Sequence, residues 1–511
     1  MHACLKPSSA LLRLAFPSYI RAMNPKHFLG RSALSLIAGQ AMVERGLEPE
    51  FSGAALNELK AISHAGQDAD PRVVDMSAWP WCSIDNDDSR DLDQLTVAQE
   101  QADGHTKVWV AVADVDVLVP KGSALDAHAK HNTTSVYTST RIFPMLPDRL
   151  CTDLTSLNPH EERLAVVIEM VINANAEVTH SQLYRAKVHN KAKLAYDAVS
   201  DWIEGDGVLP EPAQVAEGMA DQLILQDAVA QRLRARRHAH GSLEFETLQP
   251  HAVFEGERVV AIRQQVQNRA RQLIEEFMIA ANVCTAQFLA AHGHASLRRV
   301  VRSPERWERI VALAATYDEH LPAYPDSSAL EAFLAKRHKA DPLRFPDLSL
   351  VIVKLMGSGE YVVEHPSSEA IGHFGLSVRD YTHSTAPNRR YPDLVTQRMI
   401  KSVLMAVPAP YSPDELEALA LHCTQQEDAA RKVERRMRKS ESALMLTGQI
   451  GHVFEAVVTG KTSSGTWVRV FSPPVEGMLT SYTSDHEVGE FLRVKLIHTN
   501  VEQGFIDFAA A

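Results

Sequence analysis

Between Ser83 and Gln94 the chain places five aspartates within nine residues: Asp85, Asp87, Asp88, Asp91 and Asp93. Carboxylates this close repel one another, so a fold that keeps them together must compensate their charge or leave them in water. A calcium loop of the EF-hand kind would need Gly at its sixth position and Glu at its twelfth. Counted from Asp85 these are Arg90 and Thr96, which excludes that geometry. Two readings stand: a solvated acidic loop, and a hard-cation site of oxygen ligands that suits magnesium with several waters retained. Two such ions can clamp the attacking and leaving oxygens of a phosphodiester.

The rest of the chain can build a large core around such a loop. Its 511 residues are 45% apolar and 23% charged, an ordinary globular balance that excludes disorder, collagen and coiled coil for the bulk of it. Residues 1–24 read as a disordered leader. The first forty-three residues hold no Asp or Glu but carry Lys6, Arg13, Arg21, Lys26 and Arg31, so organellar targeting is the minor alternative. Residues 25–70 have helical spacing. From 71 to 446 apolar runs of strand length, Val108-Trp-Val-Ala-Val-Ala and Leu164-Ala-Val-Val-Ile-Glu-Met-Val-Ile, alternate with helical periods. From 447 to 511 five short strands in about sixty residues suit a small barrel. The fold class is therefore α+β and multidomain.

Five scattered cysteines without a C-x-x-C pair exclude a disulfide framework and point to a reducing compartment, hence the cytoplasm. The most apolar stretch, Leu273 to Ala291, is interrupted by Glu275, Glu276 and Asn282, so no membrane span is expected. The formal charge of −12 supplies no global field for nucleic acid, and a nucleic-acid partner would have to meet local basic patches.

A second motif, Tyr381-Thr-His383-Ser-Thr-Ala-Pro387-Asn388-Arg389-Arg390-Tyr391-Pro-Asp393, sets arginines where a loop enters a helix. Such arginines suit phosphate oxygens through bidentate geometry and permanent charge, or they form a structural Arg–Asp network across the turn. An acidic loop together with an arginine pair makes the two halves of a phosphoryl-transfer site.

At these residues the sequence resembles the RNase II family of RNB-domain 3′→5′ exoribonucleases. Ile84-Asp85 with Asp91 and Asp93 matches the spacing of its catalytic loop, and Tyr381 to Asp393 matches its arginine motif at most positions. Pro144-Met-Leu-Pro147, Ala113-Asp114-Val115 and Ile274-Glu275-Glu276-Phe-Met278-Ile-Ala-Ala-Asn282 match three further segments in the family's order. The terminal barrel resembles an S1-type OB fold, so residues 71–446 are expected to be the RNB catalytic domain and 447–511 an RNA-binding domain.

The resemblance implies a hydrolase that shortens single-stranded RNA from its 3′ end and releases nucleoside 5′-monophosphates. Asp85, Asp91 and Asp93 would hold Mg2+, with Mn2+ able to replace it. Asp93 matches the aspartate whose loss most cripples family members, and Arg389 the arginine on the scissile phosphate. Tyr137 falls where the family stacks an aromatic on the terminal base; its other reading is a strand-edge tyrosine. Either Glu275 or Glu276 would contact the terminal nucleotide, with a plain helix-face carboxylate as the alternative. No obligate protein partner is evident.

Three departures accompany the match. Gln94 stands where the family has a fourth aspartate; its carbonyl oxygen can still meet a hard cation, and Asp87 or Asp88 could supply the lost charge. Ser384 and Asn388 replace apolar residues without touching a named role. About seventy helical residues replace the paired cold-shock barrels of bacterial members. Two other functions stay open, an inactive RNA-binding protein and a metal nuclease acting on single-stranded DNA.

Arg431, Lys432, Arg435, Arg436, Arg438 and Lys439 share one predicted helix with only Glu434 opposing. They read either as a solvated face or as a phosphate-contacting stripe with Arg390 and Arg389. Arg232, Arg234, Arg236 and Arg237 form a second, lesser run, and Phe454, Trp467 and Phe471 of the barrel could stack bases.

Overall fold

A computed structural model describes residues 30–511 apart from 247–249, 265–266, 343, 367, 463–464, 481–485 and 487–488. The leader assigned to residues 1–24 lies outside the described residues.

The first half of the fold contains strands β1 (Val74–Asp75), β2 (Cys82–Asp85), β3 (Gln94–Glu100), β4 (Thr106–Ala113), β5 (Val136–Tyr137), β6 (Ile142–Phe143), β7 (Glu162–Ile172), β8 (Val178–His189) and β9 (Ala192–Ala195). Seven of them form one sheet in the order β1-β8-β7-β4-β3-β2-β9, while β5 and β6 pair as a separate ribbon. Val108–Ala113 of β4 and Ala165–Met170 of β7 are buried without alternation. Strands covered on both faces lose the polar-out positions of a half-exposed sheet, which is why these two read as continuous apolar runs.

Helix Arg269–Ala291 packs against that sheet, capped by the Asn268 side chain accepting from the Arg271 amide. By length and composition it could cross a membrane, yet 61% of its most apolar window is buried inside the fold. It is a core helix. Helix Met219–Ala239 lies beside it and is pinned to β3 where Thr96 Oγ1 donates to Gln226 Oε1 at 2.6 Å.

Helix Tyr391–Met405 is almost wholly buried, with Pro392 in its first turn, where a missing N–H costs nothing. Its charges are matched inside: Lys401 Nζ lies 2.8 Å from Asp114 and 2.9 Å from Asp116, and Arg398 pairs with Asp116 and Asp126. The Ala113-Asp114-Val115 segment thus anchors the helix that follows the arginine motif.

The longest helix, Pro413–Leu446, opens on a capping box between Ser412 and Glu415. It runs past the N-terminal helix Arg31–Glu44, ribbon β5–β6 and the hairpin Pro250–Glu255/Arg258–Gln264 to the terminal barrel. Val453–Thr462, Gly465–Val470, Val475–Leu479, Phe491–Asn500 and Phe505–Ala510 close that barrel as five strands, the number and order expected from their turn spacing. The α+β architecture with a small barrel after a large mixed domain is as read from the sequence. Helix Phe345–Met356 and the hairpin were not anticipated.

Candidate active site

The acidic loop joins two neighbouring strands of the sheet. β2 and β3 are antiparallel with Cys82 opposite Thr96. That is the single paired position between them, and the strands part beyond it to leave room for the loop. The loop brings Asp85 close enough to Asp91 for its charge to raise the Asp91 carboxyl, and Asp91 does the same to Asp93. The loop is fixed from behind by Ser156, whose hydroxyl accepts from the Leu92 amide at 3.0 Å and donates to the Arg90 carbonyl at 2.9 Å.

Asp93 is 1% exposed. Its Oδ2 accepts from Arg389 Nε at 2.9 Å, and its Oδ1 from the Asn388 amide at 3.2 Å. Burial pushes its carboxyl up to about 6, opposed by the Arg389 charge and assisted by Asp91. Asp91 is also shifted upward by burial, with Asp85 adding to the shift and Arg389 opposing it. Asp85 turns one oxygen to its own loop, accepting from the Asn86 amide at 2.7 Å and Ser89 Oγ at 2.8 Å.

Arg389 uses only Nε on Asp93. The Nη edge of its guanidinium has no partner among the described residues, and 43% of the side chain is exposed. The loop that presents it is a tight turn, with the Arg389 and Arg390 amides both donating to the Ala386 carbonyl. Asp393 closes this turn from inside the next helix by accepting from the Ala386 amide at 2.8 Å and from Arg390 at 2.7 Å. Arg390 thus belongs to the structural Arg–Asp network that was one of its two readings, while Arg389 remains open to a ligand.

Tyr137 is 39% exposed at the end of β5. Its hydroxyl lies 3.4 Å from Asp91 Oδ2, and its amide donates to Glu434 of the long helix at 3.1 Å. The strand is joined to the arginine loop where the Ser135 amide donates to the Arg389 carbonyl at 3.0 Å.

The paired glutamates separate. Glu276 is 3% exposed and held by Arg237, whose Nε lies 3.0 Å from its Oε2. Glu275, one residue earlier on the helix, is exposed. Glu275 is the more accessible of the two, although it lies 3.6 Å from Arg237 and accepts from Gln267 Nε2 at 3.2 Å. The arginine run 232–237 is equally absorbed, with Arg234 on Glu244, Arg236 on Glu177 and Arg237 on Glu276.

Asp87 and Asp88 are exposed at the tip of the loop, where the Asp87 carbonyl accepts from Lys193 Nζ at 3.1 Å. Two expectations need correction. Ser384 and Asn388 are not neutral departures. Ser384 Oγ donates to Asn282 Oδ1 at 2.9 Å, and Asn388 donates its backbone amide to Asp93 while its side-chain Oδ1 accepts from Thr155 Oγ1. Glu434 is not the only acid facing the basic helix, because Arg431 pairs with Glu427, Lys432 with Asp428 and Arg436 with Glu44 of the N-terminal helix. Arg435 is exposed and has no acidic partner among the described residues. In the barrel Phe454 packs edge-on to Phe508, Trp467 lies under Lys439, and Phe471 is exposed with Phe491 stacked on it.

The sequence reading missed Tyr196 and Arg271. The Arg271 guanidinium lies 4.3 Å over the Tyr196 ring and its Nη2 donates to Asn86 at 2.8 Å, beside Asp85. Neither belongs to a local motif, so only the packing of helix Arg269–Ala291 against the acidic loop reveals them.

Among the described residues no three His, Cys, Asp or Glu side chains converge as a metal cage. The donor chemistry nonetheless suits a hard cation. Asp91 and Asp93 are carboxylates whose burial and mutual proximity oppose their charge, with Asp85 adding to that on Asp91, and a divalent ion is the usual remedy.

Comparison with known proteins matches residues 73–406 to the RNB domain. The chain belongs to the RNB-domain family. Residues 452–511 match the RNase II-type exonuclease C-terminal S1 domain. Relatives of this RNB chain include Ribonuclease R of Escherichia coli strain K12, 30% identical over 441 residues that cover 82% of this chain and 52% of that one. Ribonuclease R of Vibrio parahaemolyticus is 29% identical over 476 residues, covering 85% and 55%. The chain thus spans about half the length of the curated relatives it matches. Among solved structures, Mycoplasma genitalium RNase R in complex with ribose-methylated single-stranded RNA superimposes with a TM-score of 0.84 at 22% identity, over 94% of this chain and 78% of that one. Yeast Ssd1, a pseudonuclease, does so at 0.68 and 15% identity, over 87% and 55%. At these identities the RNB and barrel folds are what the structures share.

Proposed function

We propose that this RNB protein is a hydrolytic 3′→5′ exoribonuclease that removes nucleoside 5′-monophosphates from single-stranded RNA. The observation that carries the reading is the Arg389 guanidinium, clamped at Nε by buried Asp93 while its Nη edge stays open. A cation fixed in this way can meet a phosphate without first losing side-chain freedom. Asp93 orients Arg389, and the Asn388 amide keeps Asp93 in place. Tyr137 presents its ring beside Asp91, where a terminal base can stack irrespective of its identity, and Glu275 is the exposed carboxylate of its pair that would reach the terminal nucleotide. Asp85, Asp91 and Asp93 would hold magnesium, or manganese in its place, which when bound activates water and neutralises charge at the scissile phosphate.

In this reading residues 71–446 are the catalytic domain, 447–511 the S1-type domain, and Arg435 with the Phe471 face the grip on upstream RNA. The relatives named above are Ribonuclease R, and one structural neighbour holds single-stranded RNA, which supports the RNA substrate. Unpaired buried cysteines at 82, 151, 284 and 423 fit a cytoplasmic setting. Gln94 favours a second reading, an RNA binder without chemistry.

One experiment separates them. A 5′-labelled RNA of about thirty nucleotides is incubated with wild type or Asp93→Asn, in magnesium or in EDTA. A descending ladder from wild type in magnesium alone, with a loss of at least about a hundredfold in the variant, is the expected result. RNA that is bound but never shortened by wild type would make the chain a binder.

A further inference from the structure

Glu441 is a carboxylate the proposed chemistry does not use, and it lies in an unusual place. It is 2% exposed on the long helix, on the side that faces the turn between β5 and β6. Its Oε2 accepts from Ser139 Oγ at 3.0 Å, and its Oε1 is buried without a hydrogen-bond partner. Ser139 in turn accepts from the Ala252 amide of the hairpin Pro250–Glu255/Arg258–Gln264 at 3.4 Å. Three elements therefore meet at one side chain: the long helix, the hairpin, and the turn two residues beyond Tyr137. Burying a carboxylate is costly, and a leucine would fill this space without that cost. What the carboxylate adds is a hydrogen-bonded tie to the ribbon that carries Tyr137, two helical turns along from Glu434, which already holds the Tyr137 amide.

We propose that Glu441 is a positioning residue for the Tyr137 clamp: through Ser139 it locks the β5–β6 turn to the long helix and so sets the Tyr137 ring against Asp91, where the terminal base stacks. The inference rests on the RNA-shortening reading for its biological meaning, but its physical content, the placement of a base-stacking ring, is testable without cleavage. The Ser139 hydroxyl, and after it the Ser139 amide, Arg438 on the same helix and the Ala252 amide, are the groups that favour Glu441's ionised form against its burial. Ser139 needs only an acceptor, so Glu441→Gln retains the tie and Glu441→Leu removes it. Ser139→Ala breaks the same tie from the other end with little change in volume.

The test uses the full chain and a single-stranded RNA ending in 3′-terminal 2-aminopurine, whose fluorescence is quenched when the base stacks. In EDTA, wild type and Glu441→Gln are expected to quench alike. Glu441→Leu and Ser139→Ala are expected to lose most of the quench and to bind about fivefold more weakly, the factor a single hydrogen bond supplies. The double variant should be no weaker than either single one, because both cut the same link. In magnesium the same two variants should raise KM by that factor and leave kcat within about twofold. Full quenching by Ser139→Ala overturns the proposal even if Glu441→Leu fails to fold. So does Glu441→Gln behaving like Glu441→Leu. If wild type quenches but never shortens RNA, the exonuclease reading fails while the EDTA comparison still decides the role of Glu441.

Discussion

Adjacent residues in this protein have divergent duties that their neighbours in sequence do not reveal. Glu275 and Glu276 are one peptide apart, yet helical geometry leaves the first exposed, 3.6 Å from Arg237, and buries the second against the same guanidinium. Replacing Glu276 by Ala removes the close partner of a buried guanidinium, leaving it only the longer contact to Glu275, and should destabilise the fold by about 3 kcal/mol, read as a lower urea midpoint. Glu275→Ala should leave that midpoint unchanged and weaken RNA binding; equal midpoints for the two variants would contradict the assignment. Arg389 and Arg390 divide in the same way, the first open along its Nη edge and the second bonded to Asp393. Residue types and spacing identified the acidic loop and the arginine motif from sequence. Which member of each pair faces a ligand depends on what packs behind it, and that information is spread over distant segments.

At the level of elements, the long helix Pro413–Leu446 does more than connect a domain to a barrel. Its start and end were legible in the sequence because Ser412, Pro413 and Glu415 form a cap and the apolar spacing ends at Leu446. Its buried acids were not, since a glutamate among basic residues looks solvated until partners from other segments cover it. Glu441 makes this measurable. Burial pushes its carboxyl up to about 7 from an ordinary 4.5. Between those values the folded chain holds more proton than the unfolded one, so stability falls as pH rises through that window, by up to about 3 kcal/mol, and is level above it. Glu441→Gln should abolish that fall. Urea unfolding should find the variant more stable than wild type at pH 8, with the difference vanishing towards pH 4.5; a difference that grows at acid pH would reverse the sign and refute the assignment.

Across the whole molecule, three apolar cores organise the described residues, the smallest around Trp307, Phe333 and Phe345. The largest lies around the seven-stranded sheet. The second joins Leu34, Ala38, Ala41 and Met42 of the N-terminal helix, Val433, Met437 and Leu446 of the long helix, and the barrel interior around Val468, Leu496 and Phe508. The barrel is a distinct stretch of sequence, but its core continues into the helices before it. Truncation after Gln449 should therefore expose the apolar stripe of the long helix and lower the melting temperature of the remainder by more than about 5 °C; an unchanged value would mean that the core stops at Leu446. The sequence alone determined what depends on short range. The strand and helix periods, the cap of the long helix, the five barrel strands and the two charged motifs are all written in consecutive residues, because backbone geometry repeats every two or every 3.6 residues. The tertiary structure alone decided which charges are already neutralised. It put Glu44 on Arg436, Arg237 on Glu276 and Asp93 on Arg389. A charge's availability depends on whatever approaches within a few ångströms, and in a folded chain those neighbours come from hundreds of residues away.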